Sequence, residues 1–306
     1  MTTAVQSRAV AEETASGPPP GRRRLTFTGR MLTPGVLVLA AISIVPFIAL
    51  VVMSFSRVRL LGGVRLEWVG LDNWSRALAD PDMWSSWAKT AVYLFLTLGL
   101  EMVLGFGLAL LLYRVTRARG LLLSLVLLPM FVAPVIVGLL GRYLTDSTFG
   151  LYAWVLNQLG WDGDILGGTT SAFVAVVLMD VWEWTPLIAL IALAGLSSVN
   201  PSTLEAASLD GAGYWRSLRH IVLPSISGIL LVALLIRAMD AVRYYDIIYI
   251  TTNGGPADAT KTIPIRLFEN AFRFFDLGYA ATIGLMMLAI TILIARGFVS
   301  MLQKED

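Results

Sequence analysis

Six apolar stretches, at residues 31–56, 88–113, 121–144, 171–196, 225–250 and 279–301, constrain this chain more than any other feature. Each can cross a hydrocarbon layer about 30 Å thick as a helix rising about 1.5 Å per residue. In lipid, every backbone N–H and C=O must be satisfied by the chain itself, so runs of this length demand helices. The expected fold is an all-α membrane protein of six transmembrane helices. Residues 1–29 are then a disordered tail, and 30–306 form one transmembrane domain that includes a loop at 197–224. Hydrophobic residues make up 57% of the chain, charged residues 14%, and the mean hydropathy is +0.74, which excludes an ordinary soluble domain.

Charge sets the expected orientation. Arg22, Arg23, Arg24 and Arg30 precede the first stretch, Arg114, Arg117 and Arg119 separate the second and third, and Arg216 and Arg219 lie between the fourth and fifth. All fall on one side, which the positive-inside rule makes cytoplasmic, together with both termini. The 145–170 loop carries Asp146, Asp162 and Asp164 but no Lys or Arg, as an outer loop should. One loop dissents, because Arg57, Arg59, Arg65 and Arg76 are placed outside. Residues 1–29, with Pro18-Pro19-Pro20 and the arginine run, are too polar to bury a core. The run from Met31 is long enough to span and lacks a clear small-residue cleavage site, so a removed signal peptide is not expected.

Other chemistries drop out. With no cysteine and a single histidine, His220, there is no disulfide framework, thiolate site or histidine metal cluster. A net charge of +2, with basic residues flanking the apolar runs, gives nucleic-acid binding no support. No Gly-x-x-x-x-Gly-Lys-Ser/Thr loop cradles a phosphate, and neither a His-Glu-x-x-His nor a Gly-x-Ser-x-Gly motif is present.

Between the fourth and fifth stretches lies Glu205-Ala206-Ala207-Ser208-Leu209-Asp210-Gly211-Ala212-Gly213, followed by Ile221-Val222-Leu223-Pro224. Asn200-Pro201 offers a helix start, Asp210-Gly211 a stop, and Trp215, Leu218 and Ile221 a second amphipathic helix running up to Pro224. The spacing predicts a helix-turn-helix knob. Alanines at 206 and 207 let its backbone sit close in a cleft, Gly211 supplies a backbone conformation other residues resist, and Glu205 offers a charge. Taken alone, Glu205 is equally well explained as the partner of Ser202 in a capping box.

Charges also lie inside the apolar runs. Asp180, Trp182, Glu183 and Trp184, ahead of Pro186, fall roughly 14 to 20 Å into the fourth run, close to the bilayer midplane. Pro186 is expected to kink that helix and open carbonyls to a cavity. The fifth run carries Arg237, Asp240, Arg243 and Asp246, with Tyr244 and Tyr245 beside them. Arg237 reaches a depth of about 18 Å, level with the carboxylates of the fourth run. A ladder of intrahelical ion pairs explains these charges as readily as a polar path does. Asp80-Pro81 reads as a helix cap and first residue, and 266–275 as a helix with Phe268, Ala271, Phe272 and Phe275 on its apolar face, lying along the outer interface.

The Glu-Ala-Ala loop ending in Ile-Val-Leu-Pro resembles the cytoplasmic coupling loop of ABC importer permeases. Trp182-x-Trp184-x-Pro186, Leu193-Ala194-Gly195-Leu196 and the 251–256 run Thr-Thr-Asn-Gly-Gly-Pro resemble the sugar and polyol branch of the maltose-transporter type. Asn253 departs from that branch's usual glycine. The resemblance covers about residues 31–301 and implies a type I ABC importer permease fold. It also implies a multi-pass protein of a prokaryotic inner or plasma membrane that is not itself an enzyme. Implied partners are a second permease in a heterodimer, an ABC ATPase dimer that binds the ATP, an extracytoplasmic solute-binding protein, a carbohydrate substrate and the lipid bilayer. No cofactor is implied for this chain, and no nucleic acid. Coupling would fall to Glu205, Ala206, Ala207, Asp210, Gly211, Leu223 and Pro224. The substrate path would use Trp182, Glu183, Trp184, Asp240, Arg243, Tyr244 and Asn253. The alternative is an ion-coupled secondary transporter using Asp180, Glu183 or Asp240. It leaves the coupling loop without a purpose.

Overall fold

The computed structural model describes residues 27–60, 62–115 and 117–305. The tail expected over residues 1–29 therefore lies outside the described residues as far as residue 26, and the first helix, α1 (Phe27–Ser54), begins at Phe27. A hairpin of β1 (Ser56–Arg59) and β2 (Arg65–Trp68) comes next, then α2 (Asp72–Ala79) and α3 (Pro81–Arg114). After α3 come α4 (Arg119–Leu127), a short 3-10 turn, α5 (Pro134–Leu144), α6 (Leu151–Gln158) and α7 (Thr169–Ser198). The rest is α8 (Pro201–Leu209), α9 (Tyr214–Ala241), α10 (Asp246–Thr251), α11 (Ile263–Phe268) and α12 (Leu277–Glu305). Among the described residues, five helices are long and apolar enough to cross a membrane, or six if the bent pair α4–α5 counts as one. The chain divides into two compact units at Ala49–Leu50, and the buried apolar clusters all lie within the second.

Several expectations need correction. The hairpin makes the fold mostly helical rather than all-α. The third apolar run is not one helix: it bends by 90° between Phe131 and Pro134, where Pro129 and Pro134 each lack a donor. The fifth run leaves α9 at Ala241, so Arg243 lies past its end and Asp246 opens α10; the three-residue ion-pair ladder runs from Arg237 through Asp240 to Arg243 and does not reach Asp246. Pro224 does not end the knob's second helix. Instead the backbone widens to a π turn over Leu218–Val222 and carries on through Pro224, which avoids a bond that Pro224 cannot donate.

The core is built on α3 and α7, which pack along their length. Gly105 makes this possible, because a Cβ there would sit 2.7 Å from Ile188 Cβ and 3.1 Å from the Ala189 nitrogen. At one end, Ala109 and Leu112 of α3, Leu193 and Leu196 of α7, and Leu218 and Val222 of α9 form one buried cluster. This fixes the knob beneath the helix pair. At the opposite end, Ala77, Met83, Ile263, Tyr279 and Ile283 form another cluster. Replacing Gly105 with leucine should therefore destabilise the protein by at least about 1–3 kcal/mol through overpacking. A lowered melting midpoint of the purified protein tests this.

The second cluster is reinforced by polar contacts around Asp80, which caps α3 by accepting from the Asp82 N–H at 2.9 Å, with Pro81 in the first turn as expected. The Asp80 carboxylate also accepts from Arg266 Nη2 at 2.6 Å and from the Tyr279 hydroxyl at 2.9 Å. Burial alone would raise this carboxyl, but the hydrogen bonds from Arg266 and Tyr279 outweigh it, so Asp80 titrates below its ordinary 3.8. A carboxyl depressed by folding stabilises fully above its unfolded pKa and loses that contribution as pH falls through its folded value. The gap in melting midpoint between wild type and Asp80→Asn should therefore be full above about pH 4 and close below it. A gap independent of pH would contradict this.

The 263–273 segment keeps the expected apolar face only in part: Ala271 is buried and Phe268 packs on Tyr245 and Tyr249. Glu269 and Asn270 are buried, Asn270 Nδ2 donating to the Arg266 carbonyl at 2.8 Å, whereas Phe272 and Phe275 point outward. A π turn at Glu269–Arg273 shifts the register, which a count at 3.6 residues per turn does not anticipate.

Candidate functional site: a buried ionic hub and an exposed knob

Near the middle of the α3–α7–α9 packing, the guanidinium of Arg237 is fully buried. Its Nε donates to both oxygens of Glu101 on α3, at 3.1 and 2.9 Å, and its Nη2 donates to Asp180 Oδ2 on α7. Nη1 reaches Asp240, one turn along α9, at 3.4 Å. Glu101 and Asp180 are 0% exposed, so one cation ties three helices through two carboxylates that have no access to water. Removing a single partner from such a group costs about 3–5 kcal/mol, because it strands the opposite charge in a low-dielectric interior.

The guanidinium also lies 5.2 Å from the Trp184 ring and 5.6 Å from the Tyr244 ring. Beside it, the buried Glu183 accepts from the Tyr244 hydroxyl. Asp180 Oδ1, Trp184 Nε1 and Thr185 Oγ1 are buried and make no hydrogen bond of ordinary geometry among the described residues, although Tyr93 lies beside Asp180 and Tyr244 beside Trp184. Buried polar atoms thus collect on one stretch of α7. Its helix continues through Pro186, which is buried.

Not every expected path residue joins this set. Glu183, Trp184, Asp240 and Tyr244 meet around Arg237. Trp182, two residues from Trp184 and so about 200° round the helix, turns away and is 51% exposed. It lines an apolar cavity of about 740 Å³ between α5, α6 and α7, with Leu140, Tyr152, Trp161 and Met179. Arg243 is mostly exposed and among the described residues pairs only with Asp240, at 3.4 Å. Asn253 lies farther along the chain, accepting from Arg273 Nη2 at 2.7 Å. Its φ of +52° explains how asparagine stands where a glycine is usual, since it enters the left-handed region more readily than other residues with a Cβ.

Sequence reasoning misses Glu101. The available signal is simple: it is the one charged residue in the 91–113 interior of an otherwise apolar run, and an intramembrane carboxylate calls for a partner.

The knob is built as its residues direct. Asn200 caps α8, its Oδ1 accepting from the Ser202 N–H at 3.1 Å and from the Ser202 hydroxyl at 2.9 Å. Ser202 therefore serves the cap, and the Ser202–Glu205 capping box does not form. Glu205 and Ala206 are exposed, and Ala207 is buried against the scaffold. Asp210 closes the helix, its N–H bonding to the Ala206 carbonyl at 3.1 Å. Gly211 follows at φ +78°, with no atom within 4 Å of where a Cβ would stand. Leu209 is 89% exposed and Trp215 75% exposed, large apolar side chains that nothing among the described residues covers. Leu223 and Pro224 lie beyond the π turn in the body of α9, Leu223 half-buried and Pro224 exposed.

Known proteins of similar sequence and fold agree on what kind of molecule this is. The family model described as binding-protein-dependent transport system inner membrane component matches residues 101–304. The trehalose/maltose transport system permease protein MalF of Thermococcus litoralis is 37% identical over 219 residues, 71% of this chain and 74% of that one. The trehalose transport system permease protein SugA of Mycobacterium tuberculosis is 31% identical over 301 residues, 98% of this chain and 96% of that one. In solved structures, a chain of a bacterial ABC transporter involved in the import of the acidic polysaccharide alginate superposes with a TM-score of 0.77. It is 21% identical, and the match covers 90% of this chain and 94% of that one. This chain is a multi-pass membrane protein that belongs to the family of binding-protein-dependent transport system inner membrane components.

Proposed function

We propose that this chain is one of two permease subunits through which an ATP-driven importer takes up a carbohydrate, a sugar or polyol, across a prokaryotic inner membrane. An extracytoplasmic binding protein delivers the substrate and a separate ATPase dimer supplies the energy. The chain itself hydrolyses nothing and carries no cofactor. The observation that carries the reading is the exposed knob, Pro201 to Ser217, whose turn requires Gly211 and whose Leu209 and Trp215 await a partner. The relatives named as trehalose and maltose permeases support a carbohydrate cargo.

Coupling follows from the covalent path. The knob leads without interruption into α9, and Arg237 stands on that same helix about 29 Å from Leu218 at about 1.5 Å per residue. When the ATPases close and move Glu205, Ala206 and the Asp210–Gly211 turn, a rigid α9 carries the displacement to Arg237 and Asp240. Leu223 and Pro224 act as part of this lever. The hub then either slides as a unit with α3 and α7 or exchanges partners, and the path beside Trp184, Glu183 and Tyr244 changes its opening. Sugar hydroxyls suit the buried polar atoms of α7 and the Asp240 carboxylate, and the Trp184 ring suits the apolar face of a pyranose. In this reading the knob and both termini face the cytoplasm. Arg243 and Asn253 belong to the outer approach, and Trp182 to the wall of the lateral cavity.

No observation favours the ion-coupled alternative, since Asp180 and Glu183 already have partners in Arg237 and Tyr244. Asp240→Ala should slow uptake by the assembled importer while leaving its subunit composition unchanged. Uptake kinetics equal to the wild type's would remove Asp240 from the path.

A further inference from the structure

The hairpin that departs from the positive-inside pattern has a second peculiarity. In its antiparallel register Arg59 stands directly opposite Arg65, and Arg57 opposite Glu67. Like charges opposed across a strand pair are destabilising, yet here they occupy the end of the ladder nearest the turn. Arg59 relieves itself diagonally on Glu67 at 3.1 Å, and among the described residues Arg57 makes only a long contact of 3.8 Å with Asp72. Arg65 has no ion pair or hydrogen bond to its side chain among the described residues.

Because side chains alternate across a strand, Arg57, Arg59 and Arg65 share one face with Glu67, and Val58, Leu66 and Trp68 share the other with Ser56. Apart from Ser56, which is buried opposite Trp68, that second face is not part of the core. Leu66 is 51% and Trp68 71% exposed, Trp68 stacks on Phe55 at 5.6 Å, and Val64 and Leu71 beside it are more than half exposed. The hairpin is thus amphipathic, basic on one side and apolar on the other. Its position is fixed by covalent linkage: it joins α1, ending at Ser54, to α3, starting at Pro81, both of which are long and apolar enough to span a membrane. It lies at the end of α3 opposite the knob, where Asn73 Nδ2 donates to the Ser54 and Ser56 carbonyls at 3.0 and 3.1 Å and pins the cap. A segment so tethered sits at the boundary between hydrocarbon and water, where tryptophan and arginine are the favoured pair of residue types.

We propose that the β1–β2 hairpin is a docking element for anionic phospholipid. Its Val58–Leu66–Trp68 face rests on the acyl boundary, and its arginines turn their guanidinium groups to lipid phosphates, which relieve the Arg59–Arg65 opposition. Long cationic side chains reach headgroups in this way while their stems cover apolar surface.

The chain has no cysteine, so a single Leu66→Cys variant can carry a bimane fluorophore. It is assembled with its partners and reconstituted in phosphatidylcholine vesicles. A fraction of the lipid is replaced by brominated phosphatidylglycerol or, in parallel, by the same mole fraction of brominated phosphatidylcholine. The expected result is quenching by both, with local enrichment of the anionic lipid by about fivefold or more, the factor that one basic residue contributes near an anionic surface. Adding Arg59→Gln and Arg65→Gln, both exposed and outside the core, should equalise the two lipids without changing the assembly. Equal quenching by the two lipids in the parent would overturn the proposal. So would no quenching by either, or protection of the label only when the binding protein is added, which would make the hairpin a protein-docking surface.

Discussion

Replacing Arg237 with methionine should lower the stability of the membrane domain by about 3–5 kcal/mol, the largest effect expected of any single substitution in this chain. The guanidinium is the only cation within reach of Glu101 and Asp180 among the described residues, and both carboxylates are fully buried. Without it, each must either remain charged in a low-dielectric interior or take up a proton, and either outcome loses the bridge between α3, α7 and α9. The triple replacement Glu101→Gln, Asp180→Asn, Arg237→Met removes the stranded charges and should recover much of the loss, because a neutral cluster no longer carries the desolvation penalty of unpaired ions. Melting midpoints of the purified single and triple variants test this. A single variant as stable as the wild type would mean that the hub does not hold the helices together.

The second large effect is on coupling. Gly211→Val places a β-branched residue at φ +78°, where a side chain costs about 1–2 kcal/mol, although nothing lies within 4 Å to clash with it. The strain therefore falls on the turn and not on the core. If the knob must keep its shape to fit a cleft in the ATPase, that free energy corresponds to docking weakened by about five- to thirtyfold. ATPase subunits should be lost during purification, ATP-driven uptake should fall, and the melting midpoint of the membrane subunit should stay nearly unchanged. Unaltered co-purification would remove the docking role from this turn.

What the sequence makes legible, and what it hides, divides along physical lines. The apolar runs and the knob are readable because each residue speaks for its own backbone: Asn200 and Asp80 cap, Pro201 and Pro81 begin helices, and Gly211 permits a positive φ. The meeting of Arg237 with Asp180 is legible from depth alone, since two elements crossing the same bilayer can be compared by residue count. Glu101 is harder to find, because nothing local tells a lone carboxylate which helix will answer it. Helix breaks are the least legible. Pro129 and Pro134 turn the chain by 90°, Pro186 is absorbed within α7, and Pro224 is passed by a π turn, so the same residue type gives three outcomes set by the packing around it. The 263–273 segment is partly misread for a related reason, as one π turn leaves Glu269 and Asn270 buried with Ala271 while Phe272 and Phe275 are exposed. The two tryptophans show the remaining limit: periodicity separates Trp182 from Trp184, but only the packed helices reveal that Trp184 is the one facing the hub.

The most direct test of the importer reading is affinity purification of this chain from its native membrane in mild detergent, with mass-spectrometric identification of what accompanies it. The expected result is a second permease of similar topology together with an ATPase bearing a phosphate-binding Gly-x-x-x-x-Gly-Lys-Ser/Thr loop. A chain recovered alone and intact, and able in proteoliposomes to drive uptake on an ion gradient without ATP, would contradict it.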